Sequence, residues 1–212
     1  MIVLAPKQKK AKMIDNSLLV SEFLDFSEEG TFYFLQILKR RKDNPDLDKD
    51  CVHVADFYIT SLKQFEKVSQ LCKGICEKEN ARAYLRLNRR DNKKLAFQVL
   101  KRIADNIASG NFEAVKGAYA ACTGEFCHDS TRKWIVDIDW KDWENRAEVG
   151  VLLVPFIEGL QEEAGNDPIS KILPTRNGIH IITHPFNVEK FKEKYPFVEV
   201  HKDNPTILFC PL

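Results

Sequence analysis

Asp137 and Asp139 stand two residues apart in Trp134-Ile-Val-Asp-Ile-Asp-Trp140, a stretch otherwise built from branched and aromatic side chains. Such a run predicts a buried strand. Strand residues two apart share a face, about 6.5–7 Å from one another along the backbone. Two acids held there repel unless something positive lies between them, and hard divalent cations such as Mg²⁺ or Mn²⁺ take carboxylate oxygens. Further on, Pro174-Thr-Arg-Asn-Gly-Ile-His-Ile-Ile-Thr183 gathers Thr175, Arg176 and His180 about a glycine-containing turn. Arginine offers a planar fork of donors that matches phosphate oxygens. Later still, Phe197-Val-Glu-Val-His-Lys-Asp203 supplies Asp203, with Glu199 as a competing third acid. These residue types suit metal-dependent phosphoryl transfer, which needs positioning and charge neutralisation rather than a covalent nucleophile. No Ser/His/Asp order and no Walker-type glycine loop stands out.

The elements that must position these groups alternate between strand and helix patterns. Strands are predicted over 31–40, 53–60, 81–88, 134–140, 197–201 and 206–210, with a strand pair at 171–173 and 178–183 around Thr-Arg-Asn-Gly. Helices are predicted over 61–78, 92–108 and 112–121. The stripe Leu95, Val99, Ile103 and Ile107 marks the clearest of them. Residues 142–163 are interrupted by Pro155, which predicts a kink or a helix that begins at the proline. A short helix is expected within 185–194. The fold class is α+β, a curved and mainly antiparallel sheet with helices packed on it. Residues 1–30 read as a basic tail and lead-in, and 31–212 as a single domain.

Composition narrows the partners. A net charge of +1 gives no global field to draw the chain onto DNA, so any nucleic-acid surface must be local. The best such surface combines Arg82, Tyr84, Arg86, Arg89 and Arg90, with Tyr84 between two arginines as a base-stacking ring. No run approaches the roughly 20 apolar residues of a membrane span, and the first residues lack a leader pattern, so a cytoplasmic protein with no membrane partner is expected. Of six cysteines, Cys72 and Cys76 fall on an apolar helical face and read as core. Cys122, Cys127 and His128 lie close enough in sequence for zinc. They fall short of the two ligand pairs zinc sites use, which makes zinc the weaker metal expectation.

Together, the order of motifs resembles the archaeo-eukaryotic primase and primase-polymerase superfamily. Asp137-Ile-Asp139 looks like its Asp-x-Asp strand, and Thr175-Arg-Asn-Gly178-Ile-His180 looks like its second motif, which ends in histidine. Asp203 looks like its late acid. The likeness covers about residues 134–206. It departs at Lys202, where the family has an apolar residue before the third acid. The resemblance implies a primase-polymerase-like core with two Mg²⁺ or Mn²⁺ ions held by Asp137, Asp139 and Asp203, and with His180, Arg176 and Thr175 on the incoming triphosphate. It further implies an NTP or dNTP substrate and a single-stranded template. A domain this small is expected to work with a helicase or other replication protein, as in phage or plasmid systems. The same acids could instead serve a metal-dependent nuclease, or persist in a non-enzymatic nucleic-acid-binding module.

Overall fold

The computed structural model describes residues 12–126 and 132–212. The chain opens with β1 (Met13–Asp15) and α1 (Ser17–Ser21), then forms a long hairpin of β2 (Thr31–Arg40) and β3 (Cys51–Ile59). After α2 (Leu62–Glu79) come β4 (Arg82–Arg86), the two-residue β5 (Arg90–Asp91), α3 (Asn92–Ala108), α4 (Phe112–Val115) and α5 (Ala118–Glu125). Next is β6 (Trp134–Asp139), continued by a 3₁₀ turn at Trp140–Asp142 and a π-helical turn at Val149–Leu153 that runs into α6 (Val154–Glu163). Then β7 (Lys171–Pro174), β8 (Gly178–Thr183), α7 (Val188–Lys194), β9 (Glu199–His201) and β10 (Pro205–Pro211) complete the order.

The fold is α+β, and among the described residues the strands form two antiparallel sheets rather than the one expected. The first runs β1-β10-β4-β2-β3, with β5 beside β2; the second runs β7-β8-β6-β9. Period-two alternation explains how the second sheet is covered. Trp134, Val136, Ile138, Ile179 and Ile181 pack with Leu153, Ile157, Leu160 and Phe191 of the helical segments on one side. Ile135, Leu173 and Ile182, on the other side, join the core of Leu35, Leu85 and Leu208 from the first sheet. The two sheets therefore share a core, and a polar stitch reinforces it. The buried amide of Asn16 donates to the Pro174 carbonyl of β7 and the Ile207 carbonyl of β10, both at 2.9 Å. Residues 13–21 lie within the expected lead-in, yet β1 pairs with β10 and completes the first sheet.

Helix ends follow their capping residues. Ser61 accepts from the Gln64 N–H to start α2, and Asn80, at φ 45°, ends it in the left-handed region. Asp91 accepts from the Lys94 N–H at the start of α3. The proline expected to interrupt 142–163 sits in the first turn of α6, directly after the π-helical turn. The α3 stripe is buried only at Leu95, and Ile107 is exposed. Among the described residues, no helix is long and apolar enough to cross a membrane.

Candidate active site

A cleft of about 320 Å³ opens between the two sheets. The second sheet contributes Asp137 and Asp139 from β6, His180 from β8 and His201 from β9. The first contributes Arg40, Arg82, Tyr84 and Ile207, and the two hairpin turns add Lys42 from one side and Thr175, Arg176 and Asn177 from the other. Carboxylates and histidines therefore line one wall and Arg40, Lys42 and Arg82 the facing one, with Arg176 at the edge.

Register puts the acids where they are. Asp137 pairs opposite His180 on one side and Glu199 on the other, so all three project from the same face of the sheet. His180 Nε2 lies 3.6 Å from an Asp137 carboxylate oxygen, and His201 Nε2 lies 4.0 Å from the other. His201 Nε2 is also 3.2 Å from Glu199. Burial pushes the Asp137 carboxyl above the usual range, and the negative charge of Asp139 adds to the effect, with His201 opposing it. Two like charges about 7 Å apart near a protein surface cost on the order of 2 kcal/mol before solvent screening. Asp139 is half exposed and carries Lys141 Nζ at 3.3 Å, which relieves part of that cost.

His180 is held neutral. Its pKa is lowered to about 4 by burial, with His201 adding to the effect. Its Nδ1 lies 2.9 Å from the Thr206 hydroxyl of β10, which fixes the ring between the sheets. With that hydroxyl donating to Nδ1, Nε2 carries its proton toward Asp137 and the cleft. Gly178 makes the approach of β8 to β6 possible. A Cβ there would sit 1.7 Å from the Ile138 carbonyl oxygen, so no other residue fits this register.

The facing cations are organised by Asp43, in the turn between β2 and β3. Its carboxylate takes Arg82 in a bidentate pair at 2.6 and 2.7 Å and also binds Arg176. These guanidinium groups hold the Asp43 carboxyl below its ordinary range against the opposing effect of burial. Asn80, at the end of α2, donates to the Asp43 carbonyl at 2.8 Å and so anchors the turn. Burial, together with the charges of Arg82 and Arg40, holds the Lys42 ammonium below its usual range. Arg40 Nε is buried with no hydrogen-bond partner among the described residues. A buried donor left unpaired beside two other cations is a place for an anion.

The sequence-predicted residues divide accordingly. Asp137, Asp139, His180, Thr175 and Arg176 meet in the cleft, as do Arg82 and Tyr84. Asp203 is placed elsewhere. Its carboxylate binds the fully buried Arg90 at 2.8 Å and accepts from Asn88 at 3.0 Å, and its backbone carbonyl takes Arg86. Glu199, the competing acid, lies opposite Asp137 in register, with its side chain largely exposed. The expected template surface is also corrected. Arg82, Arg89 and Arg90 are buried, and Arg89 binds Asp25 and Glu28 at 3.1 and 3.3 Å. Cys122 packs against Phe32, Phe34 and Leu95, whereas Cys127 and His128 lie outside the described residues. Arg40 and Lys42 went unread in the sequence, although the run Lys39-Arg-Arg-Lys42 at a strand end was the available signal.

Among the described residues, no three His, Cys, Asp or Glu side chains form a ready-made metal cage. The donor set still fits a hard cation. Mg²⁺ sites commonly use one or two carboxylates and complete the shell with substrate phosphates and water. Comparison of the chain with protein-family models, with curated proteins and with solved structures finds no match.

Proposed function

We propose that the protein is a metal-dependent nucleotidyltransferase of the primase-polymerase kind, extending or initiating a strand on a single-stranded template. The observation that carries this reading is the two-walled cleft: the paired acids of β6, flanked by His180 and His201, face Arg40, Lys42 and Arg82, and Arg176 reaches across from the β7–β8 turn, around a space suited to a nucleoside triphosphate. That volume falls in the range of small-molecule sites.

Each group has a part. Arg40, Lys42 and Arg176 bind the triphosphate oxygens, with Arg40 Nε gaining the partner it lacks. The neutral His180 donates through Nε2 to a phosphate oxygen while Thr206 holds its ring. Asp137 and Asp139 would hold Mg²⁺ or Mn²⁺, with Glu199 the third acid in reach. The bound cations would activate a 3′-hydroxyl and neutralise charge on the departing pyrophosphate. Tyr84 and Ile207 give the cleft an apolar floor for sugar or base.

The test is synthesis of labelled oligonucleotide from NTPs or dNTPs on a single-stranded template with Mn²⁺. Extension that disappears in Asp137→Asn and in Asp139→Asn supports the reading. Cleavage of the strand without added nucleotide would point to a nuclease, and turnover that survives both substitutions would rule out this cleft.

A further inference from the structure

A second groove, of about 640 Å³, adjoins the cleft and shares Asp139, Arg176 and Asn177 with it. Its remaining lining is Trp140, Lys141 and Arg146. Three of the four charged residues around it are cationic, so the groove is locally basic on a chain of net charge +1. The Arg146 guanidinium lies over the Trp140 ring, 4.9 Å from its centroid. A planar group already rests on that face, and Arg146 is itself exposed. The Trp140 N–H donates to the Asn177 carbonyl at 3.0 Å, which ties the 3₁₀ turn after β6 to the turn that carries Arg176. The turns that carry Trp140 and Arg176 are thus held together beside Asp139 by a backbone contact.

From this placement we infer that the groove is a single-stranded nucleic-acid site, in which a base takes the place of the exposed Arg146 guanidinium on the Trp140 face while the displaced Arg146 and Lys141 hold the flanking phosphates. Aromatic faces interleaved with cations bind single strands with little sequence preference, because every base has a stacking face. Adjacency to Asp139 sets a strand lying there beside the reacting atoms. This site, rather than the arginines of 82–90 that are tied to acids, is the contact for template or primer. It rests on the nucleotidyltransferase reading for its role, though not for its existence.

The experiment is fluorescence anisotropy of labelled dT and rU oligonucleotides with the full chain, over a salt series. In parallel, each variant is tested for binding of Mn²⁺ with a nonhydrolysable triphosphate. Trp140→Leu, which keeps apolar bulk, is expected to weaken strand binding about tenfold, and Trp140→Phe to restore most of it. Arg146→Gln should reduce the slope of log Kd against log salt by about 0.7, one phosphate contact on a single strand. Triphosphate binding should be unchanged in all three. Wild-type protein that binds neither oligonucleotide, or Trp140→Leu and Arg146→Gln proteins that bind as wild type does, overturns the inference. Should Trp140→Leu fail to fold, Arg146→Gln decides alone, because its side chain is solvent-exposed. Strand binding that depends on Trp140 in a protein unable to bind triphosphate would sink the catalytic reading and leave the groove standing.

Discussion

Replacing Asp203 with alanine separates a structural acid from a catalytic one. Arg90 is fully buried, and its guanidinium is held by the Thr123 and Asn88 carbonyls, each at 2.8 Å, and by both Asp203 oxygens, at 2.8 and 3.3 Å. Removing the carboxylate strands a buried charge and also deprives Asn88 of an acceptor. Breaking a buried pair from one side costs about 3–5 kcal/mol. The Asp203 side chain is 26% exposed, so water can reach the vacated space, and we expect about 2–4 kcal/mol. For a domain of this size that is a fall in Tm of about 4–16 °C, read by circular dichroism. Pairing Asp203→Leu with Arg90→Met should recover much of the loss, because an apolar replacement of both partners leaves no charge to desolvate. Mn²⁺-dependent triphosphate binding by Asp203→Ala, measured well below its Tm, should match wild type. The reasoning is refuted if Tm stays put while that binding falls, since Asp203 would then be acting as a ligand.

Three further outcomes follow from the cleft. Gly178→Ala should destabilise by about 3 kcal/mol or more, the upper end of overpacking costs, because the methyl group meets the Ile138 carbonyl; a urea midpoint like that of wild type would contradict this. His180, with a pKa of about 4 in the folded protein against an ordinary 6.5, takes up its proton in the unfolded chain first. Stability therefore falls as pH drops from about 6.5 to 4, by up to about 3 kcal/mol, and His180→Gln flattens that stretch of the curve. An NMR titration with its midpoint near 6.5 would speak against it. Asp137 is opposite in kind: folding raises its pKa, so its ionised form weakens the metal-free fold above that pKa, and the penalty fades as pH falls. Asp137→Asn should accordingly raise Tm in EDTA at pH 7–8, with the gain shrinking toward pH 4; a lowered Tm at neutral pH would count against the burial argument.

Local patterns carried much of this molecule, and long-range partners carried the rest. The bounds of α3 and the β6 strand were legible because caps and periodicity are written into neighbouring residues. The shared face of Asp137 and Asp139 follows from strand geometry alone. The arginines between 82 and 90 misled because their partners are remote: Asp43 lies 39 residues from Arg82, Asp25 lies 64 from Arg89, and Asp203 lies 113 from Arg90. A basic run next to a tyrosine reads as a nucleic-acid surface until folding brings those acids to it. The same remoteness hid Arg40 and Lys42, whose place opposite Asp137 depends on the packing of two sheets. Strand register, which no local pattern shows, sets Glu199 opposite Asp137 and leaves Asp203 in the loop before β10.

The most direct test of the cleft is calorimetric titration of a nonhydrolysable nucleoside triphosphate with and without Mn²⁺. Binding should require the metal, vanish in Asp137→Asn and Asp139→Asn, and weaken about tenfold in Arg40→Gln, the loss of one charge-assisted contact. Wild-type protein that shows no binding at millimolar nucleotide, or binds equally well in EDTA, would mean that the opposed walls of acids and cations do not hold a metal–triphosphate complex.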